Sequence, residues 1–163
     1  MRTQCSMIFA CLLSAATTLE AELPTKKVLT IDLAKRLVAA AEMEAKKRGA
    51  TVVIAVVDDG GQLILLERLD DTQVASVEVA IGKARTAAIF RRPSREFEEQ
   101  VRNGRVAALA LPGATPLQGG IPITVEGKVI GAIGASGNSP QEDEEIALAG
   151  ATVTLTAVQE EGR

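Results

Sequence analysis

Residues 51–68 read TVVIAVVDDGGQLILLER, and this stretch decides the fold. Thr51–Val57 is a continuous apolar run rich in β-branched residues, which predicts a strand covered on both faces. Asp58-Asp59-Gly60-Gly61 is a turn signal, and Gln62–Arg68 returns as the antiparallel partner. Farther along, Ile121–Val125 and Val129–Ala135 predict a second hairpin across Glu126-Gly127. Two consecutive hairpins make an antiparallel sheet. Upstream, Thr30 is a good N-cap for a helix to about Arg48, with Asp32 in its first turn and Gly49 as the C′ residue. Ile31, Leu33, Leu37, Val38 and Ala41 form its buried stripe. Downstream, Pro93 ends a long helix, and Ser94 is expected to cap a short charged one, Arg95–Arg102. Val106–Leu111 reads as a short strand or a half-turn, and Pro112–Gly120 as a loop. Ser139-Pro140-Gln141-Glu142 is a capping box with proline at N1, starting a last helix to about Val158. The order α-β-β-α-α-(β)-β-β-α is that of an α+β domain with helices packed on the sheet.

The long helix, Ala75–Arg92 (ASVEVAIGKARTAAIFRR), carries polar groups along what should be an inner face. Ser76, Val79, Lys83, Thr86 and Phe90 recur at helical spacing, while Val77, Ala80, Ala84, Ala87 and Ala88 make a small-residue side suited to close packing. A lysine and a threonine in line suggest a pocket wall. The plainer alternative is that Lys83 snorkels to solvent and Thr86 bonds back to a backbone carbonyl.

The first 21 residues read as a secretory signal: basic Arg2, the apolar run Met7–Ala16, and a small residue at Ala21. Residues 22–29 are then a polar lead-in and 30–163 one domain. Cleavage would remove Cys5, Cys11, Arg2 and Glu20, leaving a net charge of −3 unchanged and no cysteine. Disulfides, a thiolate nucleophile and a zinc–thiolate site are thereby excluded, and a periplasmic or secreted location is expected, with no membrane anchor in the mature chain. Few aromatics and no long basic run argue against nucleic acid.

Glycine at every third position through Gly131-Ala132-Ile133-Gly134-Ala135-Ser136-Gly137 signals a bulge or a close backbone approach, to another element or to a ligand. The spacing is wrong for a dinucleotide fingerprint, and Ser136 lacks a nucleophile-elbow frame. The chain has no histidine, tryptophan or tyrosine. Acid–base work would fall to Asp, Glu or Lys, with Lys83 as a possible base or nucleophile, and no metal site is predicted.

Taken together, IAVVDDGGQLILLERLDD, ASVEVAIGKARTAAIFRRPS, LALPGATPLQGGIPI and VIGAIGASGNSPQEDE, in that order, resemble the GlcG/HbpS-like family of haem-binding proteins. The same module occurs as the C-terminal domain of some cobalamin adenosyltransferases. The resemblance covers roughly Leu29 to Val158. It implies a profilin-like antiparallel sheet with flanking helices, a homo-oligomer (dimer, tetramer or octamer) and a small-ligand site. Some members bind haem, and some of those use histidine at the iron. Here haem would need Lys83, Thr86, Met43 or a carboxylate there, or would be held by its propionates on Arg or Lys.

Three functions follow from this reading. The first is an exported haem or tetrapyrrole binder, acting as carrier, sensor or accessory of haem degradation, with Arg68 or Lys83 pairing the propionates. The second is a binder of, or enzyme for, a small hydroxy- or keto-acid, whose carboxylate would sit against Gly119–Gly120 and the backbone near Ser136–Gly137. The third is an oligomeric interaction module. Candidate ligand-binding residues are Lys83, Thr86, Arg68, Gly119, Gly120, Ser136 and Gly137. Asp58 and Asp143 are weaker candidates because turn and first-turn roles already account for them.

Overall fold

A computed structural model describes residues 23–161; the segment read as a signal lies outside the described residues. The order is α1 (Ile31–Arg48), β1 (Val53–Asp58), β2 (Leu63–Arg68), α2 (Ser76–Phe90), α3 (Arg95–Arg102), a 3-10 turn at Val106–Ala110, β3 (Gly120–Val125), β4 (Lys128–Ser136) and α4 (Pro140–Glu161). The four strands form one antiparallel sheet in the order β2-β1-β4-β3. β1 lies between β2 and β4 and is buried almost throughout. This is why its sequence shows no polar alternation.

Local chemistry sets the boundaries. Thr30 accepts a hydrogen bond from the Leu33 amide, and Gly49 ends α1 in the left-handed conformation. Asp58 Oδ1 accepts from the amides of Gly60 and Gln62 at 2.9 and 2.8 Å, closing the first hairpin. The second turns through Glu126 and Gly127, both at positive φ, as a two-residue hairpin loop requires. The Ser139 hydroxyl and the Glu142 carboxylate form the capping box of α4. The apolar stretch that left strand and half-turn open is a 3-10 turn, not a strand. Only Ala108 of its five residues is buried, so the segment offers no half-buried alternating face of the kind a paired strand presents.

The two faces of the sheet carry different helices. Ile54, Val56, Ile121, Ile123, Ile133 and Ala135 pack against Leu37, Val38 and Ala41 of α1 and Ile146 and Ala147 of α4. On the opposite face, Val53, Ala55, Val57 and Ala132 meet Ala80, Ala84, Ala87 and Ala88 of α2. The glycines explain how closely α2 approaches. A Cβ on Gly134 would lie 2.5 Å from the Ala80 carbonyl oxygen and 2.7 Å from the Ala84 amide nitrogen. One on Gly120 would overlap the Lys83 carbonyl. Gly134 and Gly120 are therefore the seat for α2, whereas Gly131 and Gly137 of the repeat lie against Val57 of β1 and Thr51–Val52 just before it.

Ser94 differs from its expected role. Its backbone is helical and its side chain caps nothing. Instead, its buried hydroxyl donates to the Leu117 carbonyl at 2.6 Å and accepts from the Gly120 amide at 2.8 Å. The loop returning from the 3-10 turn competes for the hydroxyl, which is held between two distant backbone groups and not by the amides of the helix. Ser94→Ala is expected to cost about 1–3 kcal/mol, the penalty for stranding buried polar groups. Urea unfolding monitored by far-ultraviolet circular dichroism measures it.

Candidate functional site

The inner face of α2 delivers Lys83 and Thr86 into the fold. Lys83 is not a snorkelling lysine: its side chain is 4% exposed, and Nζ lies 2.7 Å from Asp143 Oδ2, itself on a side chain 3% exposed. Nζ also donates to the Ala135 carbonyl at 3.1 Å. The second Asp143 oxygen accepts from the Asn138 amide at 3.0 Å. The pair joins α2 on one side of the sheet to the first turn of α4 on the other. It passes the start of β3, where Gly119 leaves room. A Cβ on Gly119 would lie 3.0 Å from Lys83 Nζ and 2.8 Å from the Ala135 carbonyl oxygen, and the residue adopts φ +127°. Burial pushes the Asp143 carboxyl above the ordinary aspartate range, against the opposing pull of Lys83 and the Asn138 amide.

One turn along, the Thr86 hydroxyl donates to the Gly82 carbonyl at 2.8 Å and accepts from the Thr115 amide at 2.7 Å. The back-bond is present, and the same oxygen also holds the 112–119 loop onto α2. The structure thus brings Lys83, Gly119 and Gly120 together at one buried ion pair, with Thr86 one turn along α2 and Ser136 next in the chain to Ala135. Gly137 packs on Val52, where an added Cβ would come within 2.8 Å of its Cα. Arg68 stands apart. It ends β2 opposite Val53, which in turn opposes Ser136, so Arg68 and Ser136 are two strands and roughly 10 Å apart.

Sequence reasoning undervalued Asp143 and missed Ser94, Thr115 and Asn138 as members of this constellation. For Asp143 a signal was present. It precedes Ile146, Ala147 and Gly150 by three, four and seven residues, so a carboxylate interrupts the buried stripe of α4 as Lys83 interrupts that of α2. Two opposite charges on inward stripes should meet.

Residues 29–152 match the family described as haem degrading protein HbpS-like. The chain belongs to the HbpS-like family. It is 45% identical to Protein GlcG of Escherichia coli over 112 residues, which is 69% of this chain and 84% of GlcG. A double mutant of Streptomyces reticuli HbpS superposes with a TM-score of 0.75 at 33% identity, covering 86% of this chain and 98% of that one. The crystal structure of a PduOC:haem complex superposes with a TM-score of 0.71 at 26% identity, covering 77% of this chain and 94% of that one.

Two surface clefts of this HbpS-like chain lie outside the buried pair. One, of about 530 Å³, includes Arg68 and Lys46 but also Glu42, Glu67 and Asp70. Burial and the neighbouring Glu42 push the Glu67 carboxyl up, as expected where negative groups crowd. The other, of about 660 Å³, lies at the hairpin-turn end of the sheet. Among the described residues no cluster of three His, Cys, Asp or Glu side chains could hold a metal ion, and no helix is long and apolar enough to cross a membrane.

Proposed function

We propose that this HbpS-like chain is an exported, self-associating tetrapyrrole-binding protein, with haem as its first candidate ligand. The observation that carries the reading is the superposition of a PduOC:haem complex over most of the chain. Arg2 and the apolar run Met7–Ala16 support export. Exposed Val106 and Leu109, three residues apart on one side of the 3-10 turn, support self-association, since adjacent apolar side chains gain by burial between copies.

The residues present fit the periphery of a porphyrin better than its iron. The sequence has no histidine. Lys83 is paired with Asp143, the Thr86 hydroxyl is engaged with Gly82 and Thr115, and Met43 is 60% exposed on α1. When bound, haem would supply a redox-active iron. The chain's own contribution would be to hold the propionates with cations and to cover the ring faces with apolar side chains.

Titration of the chain with ferric haem tests this. A Soret shift that saturates near one haem per chain or per dimer is expected. A spectrum no different from haem with an unrelated control protein overturns the reading.

A further inference from the structure

We infer that the cleft at the hairpin-turn end of the sheet is the carboxylate-recognition site, and that Arg91 and Lys128 hold the two propionates of a tetrapyrrole there. The inference rests on the tetrapyrrole reading and gives it a location. Four cations line this cleft, Lys26, Lys27, Arg91 and Lys128, against two carboxylates, Asp59 and Glu126. Both carboxylates are already taken. Lys26 pairs with Asp59 and Lys27 with Glu126, each at 2.5 Å. These exposed pairs connect the segment before α1 to the turns of both hairpins, and that segment forms one wall of the cleft.

Arg91 and Lys128 are left without an ion-pair partner among the described residues. The fold fixes where they stand. Arg91 ends α2 in the left-handed conformation, φ 57°, with its amide donating to the Ala88 carbonyl. Lys128 opens β4 directly after the tight Glu126-Gly127 turn. Val125, Val129 and Ile130 line the same cleft, Val129 half-buried and the other two belonging to the core. The combination suits a ligand with two carboxylates on an apolar body, and about 660 Å³ lies within the usual range for small-molecule sites, roughly 300–1,000 Å³. The Arg68 cleft has the opposite balance, three carboxylates against two cations, and favours an anion less.

The test compares ferric haem binding by the wild-type chain, the Arg91→Gln/Lys128→Gln double variant and Arg68→Ala, together with wild-type binding of haem dimethyl ester. The double variant and the ester are each expected to lose about tenfold or more in affinity, and wild-type binding should weaken as salt rises. Arg68→Ala should bind as wild type does. The ester arm keeps the test sound even if the double variant misfolds. Wild-type affinity for haem in the double variant, with undiminished ester binding, overturns the assignment and leaves the tetrapyrrole reading standing. A loss confined to Arg68→Ala moves the site to the other cleft and also overturns it. No haem binding by the wild-type chain removes both.

Discussion

Lys83→Met is expected to destabilise the fold by about 3–5 kcal/mol at pH 7, the cost of leaving a buried charge without its partner. For a domain of this size that corresponds to roughly 10 °C or more in melting temperature. The reason is geometric. Asp143 is almost fully buried, and without Lys83 its carboxylate keeps one described hydrogen bond, from the Asn138 amide. Its pKa is already raised by burial, and the variant removes both ways in which Lys83 lowers it. A carboxyl whose folded pKa lies above its unfolded value contributes stability that is present below the unfolded value and lost as pH rises through the folded one. The deficit of Lys83→Met should therefore be largest near neutrality and shrink as the pH is lowered toward protonation of Asp143. Adding Asp143→Leu should recover at least half the loss, because an apolar pair strands no charge. Urea unfolding of the three proteins at pH 7 and pH 5 measures all of this. A single variant within 1 kcal/mol of wild type at pH 7 would contradict the account of the pair.

Gly120→Ala and Gly134→Ala should each cost about 3 kcal/mol, at the upper end of overpacking penalties. In both, the new methyl meets backbone of α2 and not the end of a side chain: the Lys83 carbonyl at Gly120, and the Ala80 carbonyl and Ala84 amide at Gly134. Backbone in mid-helix cannot swing aside, so α2 must lift from the sheet and loosen the alanine contacts beneath it. Gly60→Ala provides the contrast. Its nearest neighbour is the Asp58 carboxylate at 3.3 Å, a side-chain tip, and the change should stay within about 0.5 kcal/mol. Thermal melts of the three variants decide the matter. Equal, small effects would mean that the glycines are not the seat of α2.

The parts of the fold fixed by neighbours in sequence were legible from the chain. The turn between β1 and β2, the Thr30 and Gly49 caps and the Ser139–Glu142 box each depend on residues within four positions of one another. The glycine repeat announced a close approach without naming the elements that approach, because at Gly134 that depends on how α2 crosses the sheet and at Gly131 and Gly137 on how β1 and the residues before it lie alongside. Val106–Ala110 was undecidable, since five consecutive apolar residues satisfy either period. Ser94 looked like a cap because local chemistry favours one, but the returning loop placed the Leu117 carbonyl and the Gly120 amide against its hydroxyl. The ion pair bridges 60 residues of sequence, and only the interrupted stripes of α2 and α4 hinted at it. The turn-end cleft left no sequence signature. It arises where the 24–27 segment meets the turns of two hairpins that are far apart in the chain.

The central claim is that this HbpS-like chain recognises a tetrapyrrole by its periphery and not by its iron. The most direct test is to measure the dissociation constant of metal-free protoporphyrin IX, through its own fluorescence, beside that of ferric haem. The account predicts that both bind and that their affinities agree within about tenfold, roughly 1.4 kcal/mol. Tight binding of haem with no detectable binding of the metal-free ring would show that an iron ligand holds it, and would contradict the claim.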